Sequence, residues 1–100
     1  MTTLNRGFNY NETTNSYKID IMVAGCKPAD VTIEYNEEYD ALIVNADGKK
    51  NNASAVAFKN CYVGVPSNAD VSTLKASVID GILTITMSEN KRTVKKFKVE

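Results

Sequence analysis

The fold is decided by the stretch Ala76-Ser77-Val78-Ile79-Asp80-Gly81-Ile82-Leu83. Its Asp-Gly pair is a strong signal for a two-residue β-turn, because both residues accept the positive φ angles that such a turn requires. Alternating apolar residues precede the pair, and a β-prone run follows it to Met87. The stretch therefore predicts a β-hairpin whose second strand places Leu83 and Ile85 in the core.

The two-residue period continues outward through most of the chain. Tyr17, Ile19, Ile21 and Val23 alternate with a second row, which predicts a half-buried strand. The second row is Lys18, Asp20 and Met22. Further β-prone runs occupy residues 31–35, 42–44, 55–65, 74–78 and 82–87, and residues 8–12 form a candidate edge strand. Short strands at intervals of about ten residues, with no long run at helical spacing, predict an all-β sandwich or barrel.

The run at residues 55–65 ends at Pro66, because proline cannot donate a hydrogen bond to a β-ladder. Strict alternation within it places Cys61, Val63 and Val65 on one face and Phe58, Asn60 and Tyr62 on the other. The polar segment after Asp47-Gly48 is expected to be a mobile loop, and residues 67–72 a connector.

Composition limits the classes of function. One hundred residues provide one domain, and 43% apolar with 24% charged residues is typical of a globular chain. Twelve basic and twelve acidic residues cancel, which disfavours nucleic-acid and anionic-membrane partners. The balance is local, since residues 89–100 carry five bases and two acids while residues 1–88 carry seven and ten. No apolar run has the length of a membrane span or signal peptide, so the expected location is cytoplasmic.

Residues suited to catalysis or metal binding are few. The chain has no histidine, and neither Cys26 nor Cys61 lies beside an activating residue or in a zinc-binding spacing. We therefore expect no enzyme activity, no metal and no cofactor, and two reduced structural thiols. Six carboxylates lie in one stretch without a base among them and are interpreted as a solvated acidic surface, not as a calcium loop. They are Asp30, Glu34, Glu37, Glu38, Asp40 and Asp47.

The hairpin stretch also resembles the A-x-x-x-n-G-v-L motif of small heat-shock proteins, the Hsp20 or α-crystallin family, through Ala76, Asp80, Gly81 and Leu83. Residues 65–70 resemble the L-P-x-x-v-D connector of that family, and residues 8–25 resemble its first two strands. The resemblance implies an immunoglobulin-like β-sandwich of about seven or eight antiparallel strands. Its implied bounds are a short arm at 1–7, an α-crystallin-type domain at 8–88 and a basic extension at 89–100.

The resemblance implies an ATP-independent holdase, a chaperone that binds partly unfolded proteins and limits their aggregation. A client or partner groove is implied between two strands, with candidate lining residues Val31, Ile33, Leu74, Ala76 and Val78. The alternative is that these residues are ordinary core. Two other functions stay open, namely a p23-like co-chaperone or adaptor that binds one folded partner, and a purely structural sandwich.

Self-association is the other implied property. Because the loop before Phe58 is short, we expect a dimer edge at residues 53–61, with Phe58, Asn60, Cys61 and Tyr62 as candidates, and not a swapped strand. Phe97 and Val99 lie about where the family carries an I-x-I motif that plugs a groove on a neighbouring subunit, and the alternative is an added edge strand at 94–99. With so short an arm, a homodimer or small homo-oligomer with weak chaperone activity is expected.

Overall fold

A computed structural model describes residues 7–50, 52–90 and 99. Within these residues the chain forms seven strands and two short 3-10 turns, and no helix there is long and apolar enough to cross a membrane. The strands are β1 (Asn9–Asn11), β2 (Ser16–Met22), β3 (Val31–Asn36), β4 (Ala41–Asp47), β5 (Ala57–Gly64), β6 (Ala69–Ile79) and β7 (Ile82–Glu89). The 3-10 turns are Pro28–Asp30 and Gly48–Lys50.

The strands form two antiparallel sheets, in the orders β1-β2-β7-β6 and β3-β4-β5. Each sheet is apolar on one face, so the two must pack face to face to bury those side chains. The four-stranded sheet contributes Ile19, Leu83 and Ile85 to the core, and the three-stranded sheet contributes Leu42 and Val44. The all-β sandwich expected from the sequence is confirmed.

The β6–β7 hairpin has the predicted turn. Asp80 and Gly81 adopt φ angles of 52° and 76°, and Ile79 pairs with Ile82 across them. Positive φ at both central positions is characteristic of the type I′ turn, whose twist matches that of the flanking strands. Leu83 is buried in the core, as the alternation in the sequence predicts.

The first part of β6 differs from the prediction of a connector at 67–72, which is wrong for residues 69–72. Asp70 pairs with Ser88 and Lys75 with Thr86, so β6 contains three residues more than the facing part of β7. Asp70 Oδ1 accepts bonds from the Ser72 N–H and hydroxyl at 3.1 and 2.6 Å, and Thr73 Oγ1 accepts from the Ser88 N–H at 2.8 Å. Side chains therefore replace part of the ladder and let the strand continue through the irregularity.

A bulge in β5 overturns the predicted assignment of its faces. Val44 pairs with Cys61 and Ala46 with Phe58, so two residues of β5 lie opposite Asn45. Asn60 takes a φ of 56°, and its N–H donates to Asn45 Oδ1 at 2.8 Å. Phe58 and Cys61 consequently both pack against the core, and the prediction that they lie on opposite faces is wrong. The extra residue reverses the alternation on one side of the bulge.

Small residues close one end of the sandwich, which we call the locked end and define by Gly25, Cys26, Gly48, Ala55 and Gly81. A Cβ atom on Gly25 would lie 2.6 Å from the Ala55 Cβ, and one on Gly48 would lie 2.7 Å from it. The Gly48 N–H donates to the Val56 carbonyl at 3.1 Å, and the Val56 N–H donates to the Ala24 carbonyl at 2.8 Å, which attaches the end of the 48–56 loop to the chain after β2. Ala55, at the end of this segment, is buried against the sandwich, whereas the mobility expected of the polar residues after Gly48 stays a prediction.

Candidate protein-binding groove

A shallow apolar groove lies between the two sheets. Strand β3 is an edge of one sheet and β6 is an edge of the other, so both have one side without a strand partner among the described residues. The cavity between them measures about 90 Å³. It is lined by Pro28, Val31, Ile33, Ala76, Ser77, Val78 and Leu83, and we call it the β3–β6 groove.

The pleat of the two edge strands explains why the groove is apolar. Val31 and Ile33 are paired with Ala46 and Val44, which are buried, and they share their inward face. Ala76 is paired with the buried Ile85, yet it is itself exposed. Because its methyl group is too short to reach the facing sheet, the space beside it stays open. The hollow thus follows from a small residue on the inner face of an edge strand.

The structure brings four of the five predicted groove residues together. Val31, Ile33, Ala76 and Val78 line the cavity, whereas Leu74 does not. Leu74 lies in the irregular part of β6 and packs against the core. Val31, Ile33 and Val78 also contact the core, so core packing and groove lining are not exclusive alternatives. That this groove binds a client or partner stays a prediction.

Sequence reasoning missed three lining residues, Pro28, Ser77 and Leu83. For Leu83 a signal existed, because the predicted hairpin register pairs it with Val78. Pro28 begins the 3-10 turn that leads into β3, and this turn is held by Asp30, which accepts the Lys27 N–H at 2.9 Å. Only the three-dimensional course of the chain places that turn at the groove.

A second apolar surface lies on the outer face of the four-stranded sheet, beside the hairpin turn. Met22 pairs with Ile82, and Ile82 pairs with Ile79, so the three side chains are neighbours. Their exposed fractions are 64%, 43% and 65%, respectively. We call this surface the outer patch. An exposed cluster of large aliphatic side chains is characteristic of surfaces that bind other proteins.

The predicted dimer edge falls on β5, which is an edge of the three-stranded sheet. Phe58 and Cys61 pack against the core, while Asn60 and Tyr62 are exposed. The bulge at Asn60 divides this edge into two short pieces, and bulges hinder continuous pairing with a further strand. Pairing of two copies at this edge stays a prediction.

The predicted C-terminal plug consists of Phe97 and Val99. Phe97 lies outside the described residues, whereas Val99 is described and is 92% exposed. A side chain so exposed is free to contact a partner. Its insertion into a neighbouring groove stays a prediction.

Two titratable side chains, Cys26 and Tyr35, have raised pKa values and form hydrogen bonds within the fold. The Cys26 thiol is buried and donates to the Val56 carbonyl at 3.4 Å, and burial, with the nearby Asp30 and Asp47 carboxylates, raises its pKa. A thiol held protonated is a poor nucleophile. The Tyr35 hydroxyl donates to Asp40 Oδ1 at 2.6 Å, and this bond raises the pKa of Tyr35. Within the described ranges, no three cysteine or carboxylate side chains are grouped to hold a metal ion.

Comparison with known proteins adds to this geometry. A family model described as the Hsp20/alpha crystallin family matches residues 9–100. No curated protein sequence matches the chain.

Several solved structures share the fold. Heat shock protein 16.0 from Schizosaccharomyces pombe is 19% identical with a TM-score of 0.60, and the match covers 97% of this chain and 99% of that one. HSP18.5 from E. histolytica is 17% identical with a TM-score of 0.64, covering 98% and 99%. A small heat-shock protein from Xylella fastidiosa is 17% identical with a TM-score of 0.63, covering 93% and 94%.

Proposed function

The chain belongs to the Hsp20/alpha crystallin family, a family of chaperones, and on this premise we propose that it is an ATP-independent holdase. It binds partly unfolded proteins and keeps them from associating with one another. The mechanism is mass action, because a protein that binds unfolded chains lowers their free concentration and so slows aggregation. No catalytic residue and no nucleotide is needed for this effect.

The observation that carries the proposal is the β3–β6 groove. Its walls are aliphatic, and the strands on either side are sheet edges with main-chain groups available for pairing. An extended segment of an unfolded chain can bind to both the sheet edge and the groove. Its N–H and C=O groups pair with the edge strand, and every second side chain enters the groove. Recognition of this kind selects extended apolar segments and not a particular sequence.

The outer patch supports the same proposal. Met22, Ile79 and Ile82 form an exposed apolar surface on the opposite face of the sheet that carries β6. Folded proteins rarely expose segments that complement such a surface, whereas partly unfolded proteins do. A client segment that follows β6 around the hairpin would contact the groove and the patch together.

The expected affinity is low. Complete burial of one aliphatic side chain contributes about 1.5–3 kcal/mol, so two client side chains contribute roughly 3–6 kcal/mol. Dissociation constants between about 1 mM and 1 μM correspond to a net binding free energy of about 4–8 kcal/mol, and the cost of association has first to be subtracted from the energy of the two contacts. Binding to one domain is therefore weak and reversible, which suits a chaperone that must release its clients.

We propose self-association as part of this function, because small heat-shock proteins generally form oligomers. The candidate contacts are the edge of β5 and insertion of Phe97 and Val99 into the β3–β6 groove of a neighbouring copy. Light scattering measures both. Deletion of residues 97–100 should lower the assembly mass, and an unchanged mass in an assembled parent would exclude the plug.

The holdase activity is tested by light scattering from a client denatured by heat or by reduction. At equal mass of protein and client we expect partial suppression of scattering, increasing with excess protein. Absence of suppression at several-fold excess would exclude the holdase proposal. It would favour a p23-like adaptor or a purely structural sandwich instead.

The role of the groove is tested by Ala76→Glu. Ala76 is exposed and lines the groove, so the substitution places a charge where an apolar client side chain would bind, with little expected loss of stability. Ala53→Glu makes the same chemical change at an exposed turn residue outside the groove. We expect suppression to fall several-fold in Ala76→Glu only. Equal suppression by the two variants would place the client site elsewhere.

A further inference from the structure

Two exposed tyrosines contact each other on the outer face of the three-stranded sheet. Ile43 pairs with Glu34 on one side and with Tyr62 on the other, so the three side chains form a row across that face. The turn at residues 37–40 brings Tyr39 onto Tyr62, with ring centroids 6.4 Å apart and planes at 82°. Tyr39 and Tyr62 remain 66% and 53% exposed. We call these two tyrosines the tyrosine–acid patch, together with Glu34 of the row and with Glu37 and Glu38, which belong to the same turn as Tyr39.

Hydrogen bonds hold the turn in this position. The Tyr39 N–H donates to Asn36 Oδ1 at 3.0 Å, and the Tyr35 hydroxyl donates to Asp40 Oδ1 at 2.6 Å. The Val65 N–H donates to the Asp40 carbonyl at 3.0 Å, which ties the turn to the chain after β5. A surface that is already ordered loses little conformational entropy when it binds a partner.

The patch has the chemistry of a cation-binding surface. Residues 34–40 contain four carboxylates and no lysine or arginine. The face of a tyrosine ring attracts ammonium and guanidinium groups, and the carboxylates add attraction of the same sign. A segment that carries several basic side chains therefore fits this surface better than an apolar or an acidic segment does.

Such a segment begins close to the patch. Residues 91–98 contain five bases, Lys91, Arg92, Lys95, Lys96 and Lys98, and no acid. The residue before them, Asn90, is fixed by two hydrogen bonds, from its N–H to the Asn68 carbonyl at 2.6 Å and from its side-chain amide to the Ala69 carbonyl at 3.2 Å. The basic segment therefore starts from a defined point on the sandwich.

The distance from this point to the patch is short. Asn68 is three residues from Val65, which is bonded to Asp40, so Asn90 and Asp40 lie within roughly 20 Å of each other. Eight residues in extended form reach about 26–29 Å. The basic segment is thus long enough to lie across Tyr39 and Tyr62 of its own chain.

We propose that residues 91–98 dock in cis on the tyrosine–acid patch. The docked segment places its lysines between the two tyrosine rings and the carboxylates of Glu34, Glu37 and Glu38. Each exposed ion pair is weak, but a short tether gives an effective concentration in the millimolar range, so weak contacts are populated within one chain. While it is docked, the segment keeps Phe97 away from the groove of a neighbouring copy. The docking does not depend on the holdase proposal, because it involves neither a client nor the β3–β6 groove.

Carbodiimide coupling of the full chain tests the docking, because it joins only amines and carboxylates that are in contact. In an equal mixture of ¹⁴N- and ¹⁵N-labelled protein, mass spectrometry distinguishes links within a chain from links between chains. We expect the tail lysines to couple to Glu37 and Glu38 of the same chain. High salt should lower the yield several-fold, since the Debye length falls from about 10 Å at 0.1 M salt to about 3 Å at 1 M.

Glu12 is the matched control for proximity. Its turn lies at the same end of the sandwich, because the Glu89 N–H donates to the Asn15 carbonyl at 2.9 Å. A tail without a docking site would couple to Glu12 as often as to Glu37. Docking predicts a several-fold preference for Glu37 and Glu38, and an equal yield would overturn it.

The contribution of the tyrosine rings to the docking is tested by Tyr39→Ala, with Tyr10→Ala as the control. Tyr10 is also an exposed turn-proximal tyrosine that contacts another ring, that of Tyr17, at 5.0 Å. We expect Tyr39→Ala to lower coupling to Glu37 and Glu38 several-fold and Tyr10→Ala to leave it unchanged. Links of mixed isotopes, which would mean binding to a neighbouring copy, or an unchanged yield in Tyr39→Ala would overturn the proposal.

Discussion

At the locked end of the sandwich, small residues bring backbone segments into contact, whereas at the opposite end tyrosines and carboxylates extend into solvent. The locked end contains Gly25, Gly48 and Ala55, with Ala55 buried between the two glycines. The other end, which we call the open end, contains the turn at residues 37–40, Tyr62 and Asn90. Both ends connect the same two sheets, but only one of them is part of the packed interior.

This contrast indicates which end of the sandwich determines the stability of the domain. A side chain added at Gly25 or Gly48 has no space, because its Cβ would lie 2.6 or 2.7 Å from the Ala55 Cβ and, at Gly48, also 2.8 Å from the Cys26 Sγ. A side chain changed at the open end meets water, and its loss removes only surface contacts. Substitutions should therefore lower the free energy of unfolding strongly at the locked end and weakly at the open end, and three predictions test this contrast.

Gly25→Ala should have the largest effect. Gly25 has a φ of +81°, and its added Cβ would lie 2.6 Å and 2.8 Å from the Cβ and Cα of Ala55. A non-glycine residue in the left-handed region costs about 1–2 kcal/mol, and overpacking adds about 1–3 kcal/mol. We expect the free energy of unfolding, measured by urea denaturation, to fall by about 2–5 kcal/mol.

Gly64→Ala is the control for this prediction. Gly64 is in β5, and a Cβ atom there meets nothing within 4 Å. Because alanine restricts the unfolded chain, this variant should be unchanged or more stable by up to about 1 kcal/mol. Similar losses in both variants would show that the contact with Ala55 is not what closes the locked end.

The thiol of Cys26 should give the locked end a pH dependence. Burial and the carboxylates of Asp30 and Asp47 raise its pKa in the folded state, while an unfolded thiol titrates near about 8.5. The folded state then binds more protons, so this contribution is complete below about pH 8.5 and is lost as the pH rises through the folded-state pKa. We expect the free energy of unfolding to fall less steeply between about pH 8 and pH 10 in Cys26→Ser than in the parent.

This comparison uses the slope with pH, so any constant loss of stability in Cys26→Ser does not affect it. Cys61→Ser is the control, since Cys61 is only half-buried and lies outside the locked end. Equal slopes in the parent and in Cys26→Ser would contradict the raised pKa.

The sequence predicted those features that depend on local patterns. The resemblance to small heat-shock proteins implied that Val31, Ile33, Ala76 and Val78 line a groove, and all four do. Asp80-Gly81 predicted the hairpin turn, and alternation predicted the inward position of Leu83. These succeed because a two-residue period fixes which face a side chain occupies as long as the register is unbroken. The groove as a binding site remains a prediction.

Features that depend on inserted residues or distant contacts were not predictable. The bulge at Asn60 moved Phe58 to the core face, and the extra residues before Lys75 moved Leu74 out of the groove. The local sequence does not predict such an insertion, because the insertion is stabilised by side chains of other segments, such as Asn45. The contact between Gly25 and Ala55 likewise joins segments that no pattern relates.

Asp40→Asn should have the smallest effect on stability and sharpens the contrast at the open end. Asp40 has a φ of 49°, which asparagine accepts as readily as aspartate, so the backbone of the turn is not strained. The variant loses only the charge that accepts the Tyr35 hydroxyl at 2.6 Å, a bond in solvent. Since this carboxylate raises the pKa of Tyr35, we expect the alkaline midpoint of the Tyr35 ring resonances to fall in Asp40→Asn and to stay unchanged in Asp47→Asn. A melting temperature lowered by more than the few degrees that a surface contact contributes would mean that the open end, too, belongs to the packed interior.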